Sequence, residues 1–80
     1  MARSFGKLTI TSLKRGEVEQ AARISGGLRH TLELAWDARN KLFVVTYLKT
    51  DGPVPILQTM HWYEDVDIAR SRFDTTNRTF

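Results

Sequence analysis

His30 and His61 are the side chains of this 80-residue chain best suited to move a proton or hold a metal. Zinc needs three or four ligands, and two imidazoles in a chain with no cysteine and no H-E-x-x-H pair fall short of that. The two histidines are expected on neighbouring antiparallel strands, with His30 satisfied by a hydrogen bond. Ser4, Ser12, Ser25 and Ser71 could act as nucleophiles only beside a base, yet none sits in a G-x-S-x-G elbow or close to a histidine along the chain. Ser25-Gly26-Gly27 lacks the G-x-x-x-x-G-K-[ST] pattern of a phosphate loop and reads as a turn. The acidic run Glu64-Asp65-Val66-Asp67 could hold a hard cation, but carboxylates at this spacing are accounted for by the start of a helix. The chain therefore reads as non-enzymatic, with no metal and no cofactor.

Charge offers a second chemistry. Residues 1–49 carry nine Lys and Arg against four Asp and Glu, and residues 50–80 carry three against five, which together give the formal +3. A basic first half can meet phosphates, and Arg15, Arg23 and Arg29 are the residues that would do so on DNA or RNA. The run lacks paired aromatic residues of the kind that stack bases, so nucleic-acid binding stands as the alternative reading.

These residues must be positioned by a single thin-cored domain over residues 1–80, since a chain this short buries only roughly 60 to 65% of its extended surface. With no cysteine, packing alone must stabilise it. Residues 5–13 alternate Leu8 and Ile10 with Lys7, Thr9 and Thr11, which predicts a strand. Residues 17–24 fit either a weakly alternating strand or a two-turn helix with acidic start, Arg23 near its end and Gly26 beyond, and the helix is preferred. Residues 28–36 alternate cleanly, with Leu28, His30, Leu32, Leu34 and Trp36 on one face. After the turn at Asp37-Ala38-Arg39-Asn40, where Asn40 is the residue suited to positive φ, residues 41–49 are apolar on both faces and predict a central strand. Residues 56–63 follow a loop containing Pro53 and Pro55, residues suited to a connection or an edge. A helix over 65–74 then presents Val66, Ala69 and Phe73 on one face, with Glu64 or Asp65 as its cap and a frayed polar tail beyond. If Glu64 is the cap, Tyr63 and Ile68 pair across the start of the helix.

The fold class is α+β: a three- to four-stranded antiparallel meander sheet with a C-terminal helix packed on one face, and a short helix over 17–24 if that segment is helical. The expected core is Leu32, Leu34, Val44, Leu48, Ala69 and Phe73. In hydrophobic pattern, the run from Leu42 to Leu48 through Met60-His61-Trp62 to Ala69 and Phe73 resembles the arm-binding domain at the amino terminus of tyrosine integrases, and the WGR domain. The Trp-Gly-Arg tripeptide and the basic strand tips of those families are absent, so no residue role is carried over.

One helix cannot cover both faces of such a sheet, so either residues 17–24 cross to the second face or Phe43, Val45 and Tyr47, with Trp62 or Trp36, remain partly exposed as a patch, and the patch is the preferred reading. That patch predicts a protein partner, or a second copy of the chain in a homodimer. The function so read is a small inhibitor or adaptor acting by surface occlusion; small phage and mobile-element counter-defence proteins of the anti-CRISPR type share this size and lack of catalytic groups. No window approaches the ~18 apolar residues of a membrane span, and Met1 to Lys7 carries no secretory pattern, so the expectation is a cytoplasmic protein with no membrane partner.

Overall fold

The computed structural model describes residues 8–79. In chain order the elements are helix α1 (Ile10–Lys14), strands β1 (Glu19–Ser25), β2 (Leu28–Asp37), β3 (Leu42–Asp51) and β4 (Val54–Tyr63), and helix α2 (Val66–Thr79). The strands form one antiparallel sheet in meander order β1-β2-β3-β4, as the α+β reading requires.

The short helix is present, but earlier in the chain than expected. Residues 17–24 are not helical: β1 and β2 are joined by Gly26 and Gly27 alone, at φ 63° and 78°, the paired left-handed conformation of a type I′ hairpin turn. A two-residue turn forces the segment before it to pair with β2, which overrides the weak helical features of Glu17, Glu19 and Arg23. Residues 5–13 are not a strand either, so far as they are described; Phe5 to Lys7 lie outside the described residues. The Thr9 hydroxyl accepts from the Ser12 backbone N–H at 3.1 Å and caps α1, whose Leu13 is fully buried. The Ile10-to-Leu13 spacing thus serves a helical turn rather than a strand face.

Both helices lie on one side of the sheet. Leu13 from α1 and Ala69 and Phe73 from α2 form a single cluster with Leu32 and Leu34 of β2 and Phe43 and Val45 of β3. Cross-strand register dictates this set, pairing Leu32 with Tyr47, Leu34 with Val45 and Trp36 with Phe43. Partners in a ladder point to the same face, so the leucine face of β2 continues onto the odd-numbered residues of β3. The expected core is correct for Leu32, Leu34, Ala69 and Phe73; Val44 is buried as expected but on the opposite face, outside the helix-side cluster, and Leu48 faces the same way as Val44 and is only half-buried. Trp36 and Phe43 close one end of the core with ring centroids 4.9 Å apart, and the Lys14 ammonium lies 4.6 Å from the Trp36 ring centroid.

Helix α2 starts where Asp65 accepts the Asp67 N–H at 2.7 Å, so Asp65 rather than Glu64 is the cap and the Tyr63–Ile68 pairing loses its premise. It does not fray at Asp74. Arg23 of β1 donates to the Asn77 carbonyl at 2.9 Å, placing a cation on the negative end of the helix dipole and holding the last turn to the sheet.

Candidate functional site

The face of the sheet opposite the helices carries three full rows of side chains, read directly from the register. Gln20, Glu33, Thr46 and Met60 form one; Ala22, Thr31, Leu48 and Gln58 the next; Ile24, Arg29, Thr50 and Pro55 the last. At the top, Ala35, Val44 and Trp62 complete it. The β1–β2 half mixes Gln20, Glu33, Thr31 and Arg29 with Ala22 and Ile24, the last 72% exposed at the hairpin end. The β3–β4 half gathers Val44, Leu48, Met60 and Trp62 into an apolar strip, in which Met60 and Trp62 are each 43% exposed. Val44 is buried between its cross-strand neighbours Ala35 and Trp62.

Trp62 is held in place. Its indole Nε1–H donates to Asp37 at 3.0 Å, and the same carboxylate accepts from the Asn40 side chain at 2.7 Å and from the backbone N–H groups of Arg39 and Asn40. Asp37 thereby ties the β2–β3 turn to β4. Asn40 is consumed in this bonding, and the positive φ expected of it falls on Lys41 at 57°. Asn40's side chain, then its backbone N–H, then the Trp62 indole favour the charged form of Asp37 and lower its pKa. A carboxyl whose pKa is lowered by folding stabilises the fold above its unfolded pKa, and that contribution is lost as pH falls through the folded one. In an acid titration followed by NMR, the Trp62 indole resonance should therefore move with a midpoint below the ordinary aspartate value of 3.8. A midpoint at or above that value contradicts the tether.

The expected patch divides between the two faces. Phe43 and Val45 are 5% and 4% exposed and belong to the core beneath α1 and α2, so they cannot serve as a free surface. Tyr47 lies on the same helix-covered face, half-buried, with its hydroxyl 2.7 Å from His30 Nδ1. Only Trp62 of the four lies on the uncovered face. Met60, Val44 and Leu48, its neighbours there, were not among the expected patch residues; the length of the β2–β3 loop is the signal that places them.

Of the three arginines, Arg23 and Arg29 come together, bordering one cleft with Ala22 and Ile24 at the β1–β2 hairpin, and Arg15 stands apart. Arg15 pairs with Glu17 at 3.3 Å beside α1, Arg23 is bound to the end of α2, and Arg29 lies on the opposite, uncovered face. His30 and His61 stand on β2 and β4 with β3 between them, not on neighbouring strands, although His30 has the expected hydrogen bond. Among the described residues no three His, Asp or Glu side chains gather as a metal site would require. A cleft of about 240 Å³ between α2 and β4 is lined by Tyr47, Thr59, His61, Arg72 and Thr76 above Leu32 and Val45. It brings together hydroxyls, an imidazole and one guanidinium but no carboxylate. No described helix is long and apolar enough to cross a membrane.

No family model matches the chain, and no curated protein or solved structure does either.

Proposed function

We propose that the chain is a non-enzymatic protein-binding module that occludes a partner's surface, and that it binds through the β3–β4 half of the uncovered sheet face. The observation that supports this reading is the apolar strip of Leu48, Met60 and Trp62 on a face that both helices leave open. Full burial of such a side chain is worth roughly 1.5 to 3 kcal/mol, and the part of each that is still exposed forgoes the corresponding fraction. Trp62 is also pre-set by Asp37, so little rotamer freedom is lost when a partner covers it. A rigid tryptophan flanked by apolar neighbours and a polar rim of Glu33, Arg29 and Gln58 has the composition of an interface centre.

Nucleic-acid contact through Arg15, Arg23 and Arg29 is the weaker reading: Arg23 and Arg29 border one cleft at the β1–β2 hairpin, but Arg15 is paired with Glu17 beside α1 and Arg23 is engaged at the end of α2.

Affinity capture from cells of the native source, with and without nuclease, tests the reading when paired with Trp62→Ala. A partner should be retained after nuclease treatment. Trp62→Ala should weaken its binding by about 30-fold or more, the effect of losing a central aromatic anchor. Loss of all captured protein on nuclease treatment, or capture indifferent to Trp62, contradicts it.

A further inference from the structure

The two edges of the sheet are unlike. β1 is seven residues long, carries Glu19 and Arg23, and is fastened at both ends: Glu19 accepts from the Leu8 N–H at 3.2 Å, and Arg23 reaches across to Asn77. β4 is ten residues long and contains no Asp, Glu, Lys or Arg. It exposes apolar side chains on both of its faces: Leu57 projects to the helix side, Met60 and Trp62 to the uncovered side, and Val54 and Ile56 lie near the hairpin end. Edge strands are ordinarily kept from pairing by charge, proline or a bulge. Here Pro55 and the register shift between Lys49 and Thr50 both sit at the hairpin end, leaving Leu57 to Tyr63 in unbroken ladder with β3. Along that stretch alternate backbone N–H and C=O groups point away from β3, and no other described strand receives them.

We infer that the outer edge of β4 pairs antiparallel with β4 of a second copy of this chain, joining two four-stranded sheets into one of eight strands. The inference rests on the protein-binding reading and names a partner for it. A groove in a sheet edge accepts only an extended strand, and self-pairing about a two-fold axis sets β4 residues against β4 residues. With no carboxylate, ammonium or guanidinium in the strand, no register places like charges opposite one another, despite the chain's formal +3. The pairing also brings the two Trp62 and Met60 strips onto one continuous face.

Sedimentation equilibrium of the purified chain over a wide concentration range should show conversion from one-chain to two-chain mass. Hydrogen exchange at high and low concentration should then show protection gained at alternate amides within Leu57 to Tyr63 and none gained in β1. The variant Leu57→Lys with Gln58→Lys sets ammonium groups across the joint from both faces. It should weaken dimerisation on the order of tenfold or more while its circular dichroism stays that of the parent and its thermal midpoint equals the parent's at dilutions where both are single chains, since both side chains are exposed there. A chain monomeric at every concentration, a dimer without concentration-dependent protection in β4, or a dimer indifferent to the lysines each overturns the pairing. None of these outcomes touches Trp62-dependent capture of a different protein, so the two readings fail separately.

Discussion

Phe73→Ala is expected to lower the free energy of unfolding by about 3 to 5 kcal/mol, read as a fall in the urea midpoint with an unchanged slope. Phe73 is 6% exposed and, with Ala69, is the part of α2 that enters the cluster of Leu32, Leu34, Phe43 and Val45. A 14-residue helix is marginal in water by itself and owes its stability to the face it docks. An 80-residue domain has on the order of 4 to 12 kcal/mol to lose, so this single truncation removes a large share. Ile68→Ala is the control: Ile68 is on the same helix but 56% exposed, and its loss should cost under about 1 kcal/mol. Equal losses at the two positions, or a loss at Phe73 below about 1 kcal/mol, would show that helix propensity and not docking holds α2 in place.

Most of the architecture was legible from hydrophobic pattern and turn residues, because β2 carries a period-two signal, β3 and β4 are strand-length runs bounded by turn residues, and α2 has its own apolar stripe. What misled was pairing between elements. The four residues 38–41 between β2 and β3 set Asp37 opposite Leu42, so paired residues have numbers that add to 79 and every even position of β2 meets an odd position of β3. That parity sends Leu32 and Leu34 to the same face as Tyr47 and Val45, and turns Val44 and Leu48 away from the helices. A loop one residue longer or shorter would have reversed the assignment. Residues 41–49 are apolar on both sides, so their composition is silent on which side is covered; loop length decides it, and with it the location of the exposed strip.

The same logic accounts for residues 17–24. Glu17, Glu19 and Arg23 suit a helix dipole, but Gly26-Gly27 between two alternating runs is a stronger constraint, because a type I′ turn commits both flanking segments to a ladder. The contacts that no local pattern signals are those spanning the chain. Asp37 reaches 25 positions to Trp62, Arg23 reaches 54 to Asn77 and Arg70 reaches 62 to Leu8. Such pairs follow from the assembled fold and cannot be read from spacing. They also explain why the tail beyond Asp74 remains helical despite its polar composition.

Arg70 and Glu19 form the one of these connections with the largest expected effect. The Arg70 guanidinium donates to the Glu19 carboxylate and to the Leu8 carbonyl, the latter at 2.6 Å, while Glu19 accepts from the Leu8 N–H at 3.2 Å. Both backbone groups of Leu8 are thus satisfied by one ion pair, which joins the segment before α1 to β1 and α2. The two side chains are only 14% and 12% exposed, and Arg70 Nε is buried with no partner among the described residues. Taking charge from water this far is costly, and the mutual attraction compensates only while both partners are present. Arg70→Leu alone and Glu19→Leu alone should therefore each destabilise the fold by about 3 kcal/mol, since each leaves an uncompensated charge in a half-dry site. The double variant should lose far less than the two losses added together, because it removes both charges and adds apolar volume beside Leu8 and Ala21. Faster amide exchange at Leu8 should accompany every one of the three. Urea titrations of the four proteins close the cycle, and losses that simply add would show that Arg70 and Glu19 act independently and that no clamp exists.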